Sequence, residues 1–247
     1  MAPQICPCYV AALVVLGLLF SGHATAKEVR LASAHATFNV PDDWVPIEAA
    51  AIEQANAQMR LAGVAGVGSY VAGFCRRKGE LPYFLVQQTD QDMRHVSWSA
   101  IEHEMEHEFE EGVNEGLKIA AKSSGDAVAE AKIENKSIDR DRARVTIHMT
   151  TPTRDWVTYQ YLTKQGLLLI HAYQSPKAMS ATRSSFDSIA DSVAIDPEFR
   201  FVDSSADSTP LLSREAVAGG ISGAVAVIVF AAIQRRRRAK ENKMSAA

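Results

Sequence analysis

Cysteine is scarce in this chain: three residues in 247. Two of them, Cys6 and Cys8, precede a hydrophobic run at the N-terminus, Tyr9–Phe20. They lie upstream of that run, which excludes a lipoprotein cleavage cysteine. If the leader is removed, Cys75 alone remains, and one cysteine makes no internal disulfide. The folded part must then rest on packing rather than covalent staples. Cys75 falls in an apolar, strand-like segment and is expected to be buried and inert, with an intermolecular bridge as the alternative. Net charge is also small, at −3, and the C-terminal tail is basic, so the rest of the chain is more acidic than that total. That balance gives no basic face for nucleic acid, and no nucleic-acid partner is expected. Internal repeats, a Gly-rich phosphate loop and a Ser/His/Asp spacing are all missing.

What is present sits first at the two ends. Tyr9–Phe20 is too short to span a bilayer and runs into Ser21-Gly22-His23-Ala24-Thr25-Ala26. Ala24-x-Ala26 is the small-residue pattern accepted by signal peptidase, so 1–26 is read as a signal peptide cleaved after Ala26. Met1–Cys8 has no Lys or Arg, which leaves an uncleaved signal anchor as the alternative. The C-terminal run Ala216–Ile233 differs in kind: 18 residues without a charge, followed by Arg235-Arg236-Arg237-Arg238. As a helix it reaches about 27 Å, close to the hydrocarbon thickness of a bilayer. The arginines stop transfer and mark the cytoplasmic side. The expected topology is a single pass, with the bulk of the chain outside and the basic tail 234–247 inside. Gly219 and Gly223 form a Gly-x-x-x-Gly, a face that lets two copies approach closely as a homodimer.

Between these ends, 27–195 reads as one domain and 196–215 as a polar tether with Pro197 and Pro210. Val29–Ala32 and His35–Val40 are short strands. Ile47–Leu61 is an Ala- and Gln-rich helix, ended by the Gly-punctuated stretch from Gly63 to Gly68. Ser69–Cys75 and Tyr83–Gln88 form a hairpin around Gly79 and Pro82. Ser97–Ala121 is the longest helical pattern: Trp98, Ile101, Met105, Phe109, Val113 and Leu117 recur every three or four residues as one apolar stripe. Glu130–Ile138 with Arg142–Thr150, and Trp156–Leu162 with Leu167–Tyr173, are two further hairpins. In the second strand of the first pair, Val145, Ile147 and Met149 alternate with Thr146, His148 and Thr150. Ala178–Val193 is a last helix. Hairpins with helices before, between and after them predict an α+β fold, an antiparallel sheet covered by helices.

Two segments carry a family resemblance. Phe38-Asn39-Val40-Pro41-Asp42-Asp43-Trp44 resembles the opening of PsbP-like/Mog1-like domains, and Phe186-Asp187-Ser188-Ile189-Ala190-Asp191-Ser192 is similar to their closing helix. The order of elements between them agrees over most of Val29–Ile195. The resemblance implies an α/β/α sandwich and an accessory, binding or assembly role. It transfers no site residue.

His103-Glu104-Met105-Glu106-His107 is a literal H-E-x-x-H. In zinc peptidases the two histidines hold the metal and the glutamate acts as general base. Three features count against that chemistry here. No third ligand follows at a usable spacing, and Gly112 comes two positions too late for the extended motif. Glu102, Glu106, Glu108, Glu110 and Glu111 surround the pair. On a helical wheel His103 and His107 fall roughly 120–160° from the apolar stripe, on the solvent face. A hydrated acidic face that binds metal incidentally is the simpler reading. His148 and His171 sit on strands, His148 on a solvent face, and Ser175 and Asp155 near turns. Asn135-Lys136-Ser137 matches a glycosylation sequon, meaningful only in a host with that machinery.

The expected function is therefore a non-enzymatic accessory or interaction domain, with no catalytic, cofactor or metal residue assigned. It would be displayed from a bacterial inner membrane toward an unidentified protein partner. A membrane-anchored zinc peptidase using His103, His107 and Glu104, and a periplasmic metal or small-ligand binding module, are the alternatives.

Overall fold

The computed structural model describes residues 26–204 apart from 62–67, 78–79, 91, 108, 111–112 and 115–130. Strand burial sets the layering. The strands β1 (Ala26–Leu31) and β2 (Ala36–Pro41) form a hairpin. A two-residue strand β3 (Val45–Pro46) leads to helix α1 (Ala49–Leu61). Strands β4 (Ser69–Cys75) and β5 (Tyr83–Gln88) precede helix α2 (Trp98–His107). Strands β6 (Lys132–Asp139), β7 (Arg144–Thr150), β8 (Asp155–Thr163) and β9 (Gly166–Gln174) then run as a meander. Helix α3 (Met179–Asp191), the short strand β10 (Ala194–Ile195) and a 3-10 turn (Pro197–Phe199) complete the described order.

Seven strands make one antiparallel sheet in the order β3-β4-β5-β9-β8-β7-β6. β9 and β8 lie at its middle, and β9 is buried along its whole length. That is why Leu167–Ile170 reads as a continuous apolar run instead of an alternation: both faces are covered. β7 keeps the predicted alternation, with Val145, Ile147 and Met149 buried and Thr146, His148 and Thr150 half-buried. β6 is an edge strand and mostly exposed. Its lysines and a register shift between Ile133 and Asn135 suit an edge that must not recruit another strand.

Each face carries its own core. On one side, Ala55 and Met59 of α1 and Trp98, Ile101 and Met105 of α2 pack over Leu85, Ile147, Met149, Trp156, Leu169 and Tyr173. On the other, Phe186, Ile189 and Ala190 of α3 and Phe38 and Val40 of β2 cover Phe84, Val86, Val157, Leu168 and Ile170. A three-stranded sheet, β1-β2-β10, shares that second side with α3. The predicted α+β class with antiparallel strands and covering helices is observed. The predicted stripe of α2 is buried at Trp98, Ile101, Met105, Phe109 and Val113; Leu117 lies outside the described residues.

Boundaries differ where local signals compete with tertiary ones. The last helix is Met179–Asp191, shorter than Ala178–Val193, because Ala194–Ile195 pairs with Thr37 and Ala36 of β2. Residues 196–204, read as the start of a polar tether, pack on the domain: Asp196 N donates to His35 O, Lys164 N to Phe199 O, and Ser204 N to Val96 O. No helix among the described residues is long and apolar enough to cross a membrane. The candidate signal peptide, apart from its last residue Ala26, and the candidate span 216–233 with Gly219 and Gly223 lie outside the described residues.

Candidate functional site

Helix α2 shows where the H-E-x-x-H segment sits. Its apolar stripe faces the sheet, so positions between the stripe residues turn outward: His103 and Glu106 are exposed and Glu104 is half-buried. Glu102 pairs with Arg140 from the β6–β7 turn, and Lys136 Nζ donates to the Met105 carbonyl. His103 therefore lies on the solvent face, as its helical phase requires. His107 closes the helix, and its side chain lies outside the described atoms. Among the described residues no three His, Cys, Asp or Glu side chains converge as a metal site would need.

The sheet brings together two residues that the sequence reading kept apart. His148 Nε2 lies 2.6 Å from Asp155 Oδ1. His148 is half-buried and Asp155 buried. Asp155, just after the 151–154 turn, is the first residue of β8, directly across from Thr150. His148, two residues earlier on the same face, is its diagonal neighbour. The alternation of Thr146, His148 and Thr150, combined with a tight 151–154 turn, held the signal for this contact; the turn length was the missing piece. An ionised carboxylate only accepts, so Nε2 carries the proton. Beside the pair, Thr150 Oγ1 donates to Glu134 Oε1 at 3.2 Å, and Lys132 Nζ lies 3.1 Å from the same carboxylate. The Lys132 ammonium, then the Thr150 hydroxyl, hold the Glu134 carboxyl below the usual range. A carboxylate-oriented histidine is the usual partner of a nucleophile or a metal. Ser175, the nearest hydroxyl candidate in the sequence reading, turns instead toward Gln174 Oε1. The pair is not completed into a relay among the described residues.

His171 lies on the opposite face, inside the core. Nε2 is 2.8 Å from Gln87 Oε1, and Nδ1 is 3.0 Å from Thr158 Oγ1. The amide oxygen accepts, so Nε2 bears the hydrogen and the Thr158 hydroxyl donates to Nδ1. Burial pushes the imidazole down to about 3, so it is a neutral linker in the core. Tyr70 packs edge-on to the His171 ring, and Tyr173 stacks beside it. Burial raises both phenols far above their ordinary range. Cys75 is buried in β4, its Sγ 3.8 Å from the Val45 carbonyl oxygen.

Loops from distant parts of the chain build a feature with no sequence signal: an open groove of about 490 Å³ lined by Asp90, Asp92, Arg94, Lys164, Gln165, Glu198 and Phe199. Arg94 is held by both oxygens of Asp92, and Lys164 Nζ donates to the Glu198 carbonyl. Phe199 stacks on His35 with ring centroids 3.5 Å apart.

Several solved chains are similar to this one. The solution structure of a cyanobacterial PsbP (CyanoP) from Synechocystis sp. PCC 6803 is similar to this chain, with a TM-score of 0.45 and 10% identity. The likeness covers 72% of this chain and 96% of that one. No protein-family model and no curated protein sequence matches the chain.

Proposed function

We propose that this chain displays a non-enzymatic interaction domain on the outer side of a bacterial inner membrane. Residues 216–233 are its single span, and 234–247 its cytoplasmic tail. The uncharged 18-residue run ending in four arginines carries the reading. The chemistry of the described domain supports an interaction role over catalysis. His103 faces solvent, His171 is neutral and bonded at both ring nitrogens, and His148 is bonded to Asp155. The partner is a protein, and two copies of the chain associate through Gly219 and Gly223.

Three measurements on the membrane-embedded full chain test this role. The expected result is no stoichiometric zinc, no peptide hydrolysis, and a discrete cross-linked species with a second protein. Stoichiometric zinc that disappears in His103→Ala, together with hydrolysis lost in Glu104→Gln, would replace the proposal with the peptidase reading. Stoichiometric metal without hydrolysis would favour the binding module. For self-association, Gly223→Leu is expected to abolish the cross-linked homodimer; an unchanged dimer would remove that part.

A further inference from the structure

The last described residues are bound to a helix more than ninety positions earlier in the chain. Phe201 packs edge-on against Trp98, with ring centroids 5.3 Å apart and planes at 73°. Asp203 Oδ1 accepts a hydrogen bond from Trp98 N at 3.2 Å. Ser204 N donates to Val96 O at 3.4 Å. Upstream, Arg200 bridges to Thr163, which fixes the direction of approach. Trp98 is the first residue of α2, and it is buried.

Helix chemistry gives these contacts a consequence. The first backbone N–H groups of a helix have no partner inside it, and the helix dipole is positive there. Ser97 supplies one local cap, its Oγ accepting from Ala100 N at 3.3 Å. No acidic residue lies in the first turn of α2. Asp203, 105 positions further along the chain, supplies both a further acceptor and the negative charge absent from that turn. The apolar half of the contact, Phe201 on Trp98, closes over the same turn.

We infer that residues 200–204 are a strap that makes the first turn of α2 conditional on the segment leading into the C-terminal tail. While the strap is seated, Trp98 is covered and the helix start is capped. Displacing it, by a partner or by tension on the tail, frees the helix start and uncovers Trp98. Displacement of the strap is thereby coupled to the helix that bears His103 and Glu106. The inference does not depend on where the tail lies.

Hydrogen exchange on the full chain, read by mass spectrometry, tests it. Asp203→Ala is expected to lower protection of peptides covering 96–107 about fivefold, the effect of losing one cap, and Phe201→Ala at least as much. Peptides from β8 and β9 should be unchanged, as should every peptide of the control Val202→Ala, whose side chain is 61% exposed. Acrylamide should quench tryptophan fluorescence more strongly in Phe201→Ala, because Trp44 and Trp156 are buried elsewhere. Unchanged protection of 96–107 in Asp203→Ala would overturn the inference. So would an equal loss across β8 and β9, which marks general destabilisation, or a matching effect in Val202→Ala.

Discussion

Burial keeps His171 neutral in the folded domain, while the unfolded chain leaves it near 6.5, so the residue links stability to pH. The sign follows from proton counting. Between about 3 and 6.5 the unfolded chain binds the extra proton, so this contribution is complete above 6.5 and falls as pH falls. At pH 5 the loss relative to pH 7 is about 2 kcal/mol from this residue. Urea titrations at the two pH values check it, and His171→Leu should remove that share of the acid sensitivity. The substitution also strands Gln87 and Thr158 in the core, at roughly 2–4 kcal/mol. The His148–Asp155 pair joins a half-buried ring to a buried carboxylate. A double-mutant cycle over His148→Ala and Asp155→Ala should return a coupling of about 1–2 kcal/mol in denaturant melts. An additive cycle would mean that the contact is incidental to stability. The partners of His171 were not legible from local sequence, whereas the alternation of β7 held part of the signal for His148. Gln87 and Thr158 reach His171 across two strand pairings, and Asp155 reaches His148 across a turn whose length was misjudged.

Elements were more legible than pairs. α2 was predicted from its stripe, and the stripe is the buried face. β7 was predicted from alternation, and alternation is what the sheet uses. β8 and β9 were found as a hairpin, and β9, covered on both faces, loses alternation but gains hydrophobicity. The short β10 and the 3-10 turn were missed: two or three residues carry no period, and β10 exists only because β2 offers it a pairing edge. Asn56 shows a similar tertiary device. Its side chain accepts from Tyr70 N at 2.7 Å and donates to Tyr70 O at 3.0 Å, docking α1 onto β4. At the start of β4, Gly68 has φ +70, and an added Cβ would collide with the Gln88 backbone carbonyl. Gly68→Ala should therefore destabilise by more than about 1 kcal/mol in thermal or urea unfolding. Phe186, fully buried between α3 and the sheet, should cost about 3–5 kcal/mol as Phe186→Ala. A loss below 1 kcal/mol would mean that α3 packs more loosely than described.

At the scale of the molecule, the two ends of the large sheet differ. Tyr83, Asp155 and Gln174 mark one end, where Val45 and the 151–154 turn lie. Gln88, Thr163 and Gly166 mark the other, where the groove, the Phe199 turn and the strap gather. The central claim is that the domain and the tail lie on opposite sides of a bilayer. External protease applied to intact spheroplasts carrying the full chain with a C-terminal tag tests this most directly. The account predicts loss of the domain, with the tag and span surviving as a small protected fragment until the membrane is opened. A domain that resists protease until lysis, or a tag destroyed along with the domain, would contradict it.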